Sequence, residues 1–368
     1  MKAAVCHEFG APLRIEEIQL DPPGAGEVQI GLRACGICHS DIHYLEGAWG
    51  GDLPVVLGHE AAGVVEAVGA GVTDFRPGDR VVAGLIRYCG TCFHCSRQEP
   101  FLCEGRFALD SEKRLHLGDD GPPLHQGLRT GAFAERTVVE QSQVSVLPDD
   151  VPYASAALVT CAVLTGWGAV VRTSDLGVGS SAGIIGAGGV GINSIQAAAM
   201  AGAAPVIALD FSDAKLATAQ RFGASDAVNP QREDARDAVT QRTDGRGLDY
   251  VFVTVGNSRA ILQGLELLRA GGTLVLVGMP GDDDLLQMQI GDLAGANQRI
   301  LGSKMGSCSP AEDIPTLLDL YREGRLMLDE LVSGCYPLED INAAIDEVRR
   351  GAALRNVITF DPDAGDPR

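Results

Sequence analysis

Between about residue 160 and residue 305, short apolar runs alternate with helical patterns, and that alternation leaves few folds open. The strand candidates are AGIIG, PVIALD, DAV, LDYVFVTVG, GTLVLVG and RILGSKM, with SIQAAAMAG and DAKLATAQRFG among the helical stretches between them. Six such units in about 140 residues predict a parallel, doubly wound sheet. ALVTCAVLTGWGAVV precedes the alternation and reads as one apolar helical run.

One unit carries a further signal. Ala182 to Ile185 leads into Gly186-Ala187-Gly188-Gly189-Val190-Gly191, a G-x-G-x-x-G, and then into a helical run from Ile192 to Met200. Alone the pattern is weak; between a strand and a helix it has a mechanical meaning. The first glycine makes a tight turn, the second lets a pyrophosphate approach the backbone, and the third lets helix pack on strand. The N–H groups and dipole of the helix start then hold phosphate oxygens. PVIALD ends in Asp210, whose carboxylate can accept hydrogen bonds from adenosine ribose hydroxyls. A dinucleotide coenzyme is expected here, with an ordinary strand–helix turn as the alternative.

Charge limits the other ligands. The 49 acidic and 29 basic residues give a net charge of −20, against binding to nucleic acid or anionic membranes. No run of about 18 apolar residues suggests a membrane span. MKAAVCHEFGAPLRIEEIQL lacks the apolar stretch and cleavage site of a secretory signal, so a cytoplasmic protein is expected. Thiols stay reduced there, and clustered cysteines then point to metal or catalysis rather than disulfides. Four of the ten cysteines stand in CGTCFHCSRQEPFLC: Cys89, Cys92, Cys95 and Cys103, spaced C-x2-C-x2-C-x7-C. Four thiolates at about 2.3 Å saturate a zinc ion, with an iron–sulfur cluster as the alternative. His94 lies inside the cluster, but four cysteines suffice. A saturated ion cannot take a substrate, so any chemistry lies elsewhere.

Residues 28–150 read as short strands between turns, as in VQIGLRA, AAGVVEAVGAGV and FAERTVV. The polar stretch Glu104–Thr130, with Gly121-Pro122-Pro123, reads as a long surface loop; after Met305 come two amphipathic helical stretches and a closing strand, RNVITF. ACGICHSDIH and LGHEAAG contain Cys38 and His59; with the distant Cys161 they would supply two thiolates and an imidazole. That set is one ligand short of a closed tetrahedron, as in catalytic zinc. Each residue also has a plainer reading. Cys161 in an apolar helix can be a small buried hydrophobe, Ser40 a helix cap, His43 a surface histidine and Lys215 a solvated helix charge.

Taken together, CGICHSDIH, GHEAAGVVEAVGAGV, the four-cysteine lobe, GIIGAGGVG and LRNVITF resemble the zinc-dependent alcohol dehydrogenases of the medium-chain dehydrogenase/reductase family, over essentially the whole chain. The resemblance implies an α/β fold in which a Rossmann doubly wound parallel sheet is inserted in a GroES-like β-barrel catalytic domain. The catalytic domain would be 1–162 and 305–368, with a structural-zinc lobe at about 86–105, and the coenzyme domain 163–304. It implies two zinc ions per chain, one on Cys38, His59 and Cys161 and one in the lobe. Ser40 would take the alcohol proton and His43 pass it to solvent. Asp41 would orient the ligand histidine, and Glu60 would stand behind the metal. Coenzyme contacts would come from His39 and Arg355 at the pyrophosphate, the glycine loop, Asp210 and Lys215 at the adenosine ribose, and Thr254 and Val277. Trp49 and Leu85 would line an apolar substrate pocket, and an inward Arg87 would admit acidic or polar substrates instead.

The implied reaction is reversible hydride transfer from a primary or secondary alcohol, medium-sized and apolar or aromatic, to NAD. Close rivals are a polyol dehydrogenase, disfavoured by Cys161, and a glutathione-dependent formaldehyde dehydrogenase, disfavoured by Trp49. A nicotinoprotein with permanently bound coenzyme is a third. A non-enzymatic zinc- and nucleotide-binding protein is disfavoured by Ser40, His43 and the complete ligand set. An apolar edge strand, RILGSKM, leads to the expectation of a homodimer, with a tetramer open, which light scattering would report.

Overall fold

The structure is a computed structural model describing residues 1–118 and 121–360. The chain divides into two compact units, Met1–Cys161 with Ser309–Arg368, and Ala162–Cys308.

The first unit is organised around the strand Glu27–Gly36, buried at almost every residue because both of its faces are covered. It pairs antiparallel with Glu60–Val68, Arg136–Glu140 and Arg355–Thr359. Arg80–Ala83, Val144–Val146 and Val332–Pro337 complete a seven-stranded sheet. A six-stranded sheet joins Lys2–Cys6, Arg14–Glu17, Gln19–Leu20, Val55–Val56, Leu115–His116 and Pro123–Gln126. Val5, Ile30, Leu32, Phe133 and Ile358 belong to one core cluster. Each such side chain contributes roughly 1.5–3 kcal/mol by leaving water.

Two expectations are corrected in this unit. The stretch 104–130 is not simply a surface loop, because it supplies two strands of the six-stranded sheet. Leu115 and Leu124 are fully buried and alternate with the partly exposed His116 and His125, a period-two pattern masked by the Gly-Pro-Pro between them. Residues 119 and 120 of that stretch lie outside the described residues. Nor is the run around Cys161 one helix. Tyr153–Ala157 passes into a 3-10 turn at Leu158–Thr160, and Cys161 takes a non-helical φ of −139° and ψ of −73° before a new helix begins at Ala162. The Thr160 hydroxyl donates back to the Ala157 carbonyl at 2.9 Å, the kind of local bond that competes with the helix ladder.

The second unit is a six-stranded sheet in the order Asp226–Val228, Val206–Leu209, Ala182–Ile185, Leu248–Val253, Leu268–Leu276, Arg299–Gly302. Every pairing is parallel. The two strands Ala182–Ile185 and Val206–Leu209 are buried at every residue, which is why they read as unbroken apolar runs rather than alternations. Asp213–Arg221, Ala235–Arg242 and Ser258–Leu267 start on Ser212, Asp234 and Asn257, whose side chains accept from N–H groups of the first turn. Strand order reverses beside Ala182–Ile185, the switch point at which open parallel sheets bind ligands. Ile185 lies opposite both Leu209 and Val253. That register sets the residues following them, Gly186, Asp210 and Thr254, side by side at the strands' carboxyl ends.

Candidate metal centres and coenzyme site

The strand Glu27–Gly36 delivers the chain to Cys38, which caps the short helix His39–Leu45 in an extended conformation. Asp41, fully buried, organises what surrounds it. One carboxylate oxygen accepts from the Cys38 N–H at 3.0 Å, and the other from the Gly58 N–H at 3.0 Å. The second oxygen also lies 3.1 Å from His59 Nδ1. Asp41 therefore joins the two segments carrying Cys38 and His59 and favours the tautomer with its proton on Nδ1. That leaves Nε2 as a bare lone pair, and this atom is buried with no hydrogen-bond partner. Such an orphan is costly unless something binds it. The Sγ atoms of Cys38 and Cys161 and a ring nitrogen of His59 lie within 4.8 Å of one another. Two sulfurs, an unsatisfied imidazole nitrogen and a carboxylate behind the ring fit a zinc ion with an open position.

The electrostatics suit thiolate ligands. A hydrogen bond from Cys161 holds the Cys38 thiol well below its ordinary value, with the nearby Arg355 guanidinium adding to the effect. Arg355 is 2 % exposed. It donates to both carboxylate oxygens of Glu60, at 3.1 and 2.9 Å, and to Cys38 Sγ at 3.2 Å. Glu60 is fully buried, and burial raises its pKa against the pull of Arg355. Arg355, expected at the pyrophosphate, thus also faces Glu60 and Cys38 through Nε and Nη2. Ser40 Oγ stands 3.6 Å from Cys38 Sγ, and the half-buried His43 stacks obliquely on Trp49, ring centroids 5.2 Å apart. His39 is exposed, and Leu85 is half-buried. A Cβ on Gly84 would stand 2.9 Å from Thr160 Cβ, so the Gly84–Leu85 backbone lies against the residue preceding Cys161.

The sulfurs of Cys89, Cys92, Cys95 and Cys103 form a second group within 4.8 Å. Backbone N–H groups point at them: Cys92 N at 3.3 Å from Cys89 Sγ, and Cys89 N and Gly105 N each 3.2 Å from Cys103 Sγ. Backbone donation by Thr91 and Cys92 pulls Cys89 down to about 6, while burial pushes Cys95 up to about 12. Four thiols this close cannot all ionise without a cation between them, and the four-sulfur set fits a tetrahedral zinc. His94 turns away to Glu99, 2.9 Å from its carboxylate.

In the second unit Gly186 has a φ of +95°, and a Cβ on Gly191 would fall 1.8 Å from the Gly186 carbonyl oxygen. Neither position tolerates a side chain. A Cβ on Gly188, by contrast, would meet nothing within 4 Å, which leaves space over the start of the helix Gly189–Met200. Gly189, Val190 and Gly191 form that first turn, whose N–H groups lack intrahelical partners. Asp210 accepts from Ala187 N at 2.8 Å on one oxygen and from Ser212 N at 2.9 Å on the other. It lines a cavity of about 840 Å³ with Phe211, Lys215, Asn257 and Arg259. The Thr254 hydroxyl donates to the Ile185 and Gly186 carbonyls at 3.0 and 2.8 Å, supporting the turn, and Val277 is buried beside Val253. Arg259 escaped the sequence reading because no spacing relates the start of its helix to Asp210; only the parallel register brings them to one wall.

Residues 24–149 match the family model described as the alcohol dehydrogenase GroES-like domain, and residues 189–323 the one described as zinc-binding dehydrogenase. A protein called putative alcohol dehydrogenase D from Mycobacterium tuberculosis is 40 % identical over 97 % of this chain and 98 % of its own. An NDMA-dependent alcohol dehydrogenase from Amycolatopsis methanolica is 37 % identical over 98 % of this chain and 99 % of its own. Among solved structures, benzyl alcohol dehydrogenase from Acinetobacter calcoaceticus superimposes with a TM-score of 0.91 at 29 % identity, covering 98 % of this chain and 99 % of that one.

Proposed function

The chain belongs to the zinc-dependent alcohol dehydrogenases of the medium-chain dehydrogenase/reductase family, and from that premise we propose that it oxidises medium-sized apolar or aromatic alcohols with NAD, reversibly. The observation that carries the reading is the buried, unpartnered Nε2 of His59 between two cysteine sulfurs, its ring held from behind by Asp41. Cys38, His59 and Cys161 would hold a zinc ion that would supply a Lewis acid for the alcohol oxygen, and the glycine loop with Asp210 would hold the NAD that would supply the hydride acceptor. The chain's own residues do the rest. Asp41 fixes the ring and tautomer of His59. Arg355 keeps Glu60 paired behind the site. Ser40, beside Cys38, starts a proton path that His43 continues outward. Trp49 and Leu85 supply an apolar wall, and no cation stands ready for an acidic substrate on Arg87, whose guanidinium is bonded to Gln143, Asp110 and the Arg129 carbonyl.

A survey of alcohols by NADH formation, with zinc counted in the same preparation, tests this. Benzyl alcohol and hexanol should exceed glycerol and sorbitol by about tenfold or more in kcat/KM, a difference within the roughly 1–3 kcal/mol that each methylene is worth in such a pocket. Faster turnover of the polyols would sink the substrate assignment. The resemblance to benzyl alcohol dehydrogenase supports the aromatic choice.

Coenzyme choice turns on Asp210. Its oxygens are aimed by Ala187 N and Ser212 N and retain lone pairs for the ribose hydroxyls. Each such bond to a charged acceptor is worth roughly 1.5–3 kcal/mol. A 2′-phosphate would meet the carboxylate instead, with Lys215 and Arg259 in the same cavity as a partial offset. NAD is expected to lead NADP by about a hundredfold in kcat/KM, roughly 2.7 kcal/mol. Asp210→Gly should erode that lead chiefly by weakening NAD; equal efficiencies in the unmodified enzyme would contradict the assignment.

A second reading is favoured by one comparison. The Amycolatopsis relative is named for dependence on NDMA, a dependence that fits a nicotinoprotein, which would keep its coenzyme through purification. The absorbance of freshly purified protein separates the two: bound nicotinamide without added NAD supports the second.

A further inference from the structure

Arg87 is a charged side chain only 3 % exposed, and it is absent from both candidate metal sites. Each of its three nitrogens donates to a neighbouring segment. Nε donates to Gln143 Oε1 at 3.0 Å, Nη1 to Asp110 Oδ1 at 2.9 Å and Nη2 to the Arg129 carbonyl at 3.4 Å, and the guanidinium lies 5.4 Å from the Phe107 ring centroid. Gln143 extends the grip, donating to the Gly84 carbonyl at 2.7 Å and to the same Arg129 carbonyl at 3.1 Å. That carbonyl is aimed by a left-handed turn in which two non-glycine residues, Leu128 and Arg129, have φ of +49° and +62°. Left-handed backbone of this kind is held only where its surroundings over-determine it. Residues 84–87 are thus fastened at Gly84 and Arg87, with Leu85 between the fastenings. The loop carrying Trp49 is tied instead to the strand Pro123–Gln126: His125 Nδ1 lies 3.5 Å from Asp52 Oδ2, and His125 N donates to the Pro54 carbonyl at 3.0 Å.

We propose that Arg87 is a positioning residue for substrate specificity, clamping the Leu85 wall of the alcohol pocket onto the turn at Asp110 and the carbonyl of Arg129. The turns at 107–110 and 128–129 act as a strap that sets the width of the pocket. This rests on the reading of Leu85 as pocket wall. Charge-assisted bonds in a fork are strong because both geometry and charge are fixed, so loosening one end should let Leu85 shift without moving the metal ligands.

The test uses Asp110→Asn, which keeps the shape of a half-exposed residue but removes its charge, and Arg87→Met as the stronger variant. KM for benzyl alcohol is expected to rise about tenfold in Asp110→Asn, and further in Arg87→Met. In Asp110→Asn, kcat, KM for NAD, KM for ethanol and the zinc count should stay within about twofold. Amide exchange should quicken at residues 84–88 and 107–113 and nowhere near His59. Unchanged exchange at 84–88, or a fall in kcat shared equally by large and small alcohols, would overturn the clamp. Failure of the functional reading shows itself separately, as absence of alcohol turnover in the unmodified protein, and the exchange arm then still decides whether Arg87 clamps the segment.

Discussion

Replacing Cys38 by alanine is expected to leave a folded, coenzyme-binding protein with one zinc fewer and alcohol turnover lowered about a thousandfold or more. The backbone has no need of the thiol. The Cys38 N–H keeps its bond to Asp41, and Arg355 keeps both bonds to Glu60, losing only its contact with the sulfur. The remaining donors, one thiol and one imidazole, no longer make a tight site for zinc. A Lewis acid at the reacting oxygen is worth several kcal/mol, and about 4 kcal/mol corresponds to roughly a thousandfold. NADH fluorescence titration, metal content and turnover should be read on one preparation. A variant that lost its zinc and kept its rate would remove this trio from the reaction.

Cys103→Ala should behave in the opposite way, failing first in stability. Its sulfur accepts N–H bonds from Cys89 and Gly105, so truncation opens the cage and strips two backbone donors of their acceptor. Loss of a structural metal belongs to the short list of changes that cost about 4 kcal/mol or more. At roughly 2–4 °C per kcal/mol for a unit of this size, the apparent Tm should fall by about 8–16 °C. Cys38→Ala, metal-depleted at the other site, should melt within a few degrees of the parent by the same scale. Calorimetry on both variants, with zinc counted, makes the comparison. If Cys103→Ala gave up its ion and melted with the parent, the lobe would not be structural.

How much of this was legible depended on how local the determinants are. The glycine loop and Asp210 could be read because strand, turn and helix follow one another, and the four-cysteine lobe because its ligands fall within fifteen residues. Cys161 could be joined to Cys38 and His59 only through resemblance. Its thiol reaches them because the helix breaks there, and the apolar composition of that run gives no sign of a break. Glu60 and Arg355 were each singled out, but for separate tasks; nothing in either neighbourhood announces that they pair. Arg87 was noticed without a partner, because Asp110, Arg129 and Gln143 converge on it from three turns. The strands Leu115–His116 and Pro123–Gln126 are too short for periodicity to register. Side chains whose partners come from distant segments are the part that a linear reading cannot supply.

The discontinuous first unit has a consequence for how the molecule is made. Arg355 reaches Glu60 across 295 residues of chain and Cys38 across 317, and the strand bearing it is hydrogen-bonded to Glu27–Gly36 at the centre of its sheet. During vectorial synthesis the four-cysteine lobe has all its ligands once its own short segment has emerged. The open site gains its last cysteine only at residue 161, and its guanidinium only after the whole of the second unit has left the ribosome. For most of translation, then, Glu60 and Cys38 stand in an unfinished sheet without their counter-charge. Non-local pairings of this length close late because loop entropy must be overcome before they stabilise anything. The order of synthesis thus completes the four-cysteine set before the set of Cys38, His59 and Cys161.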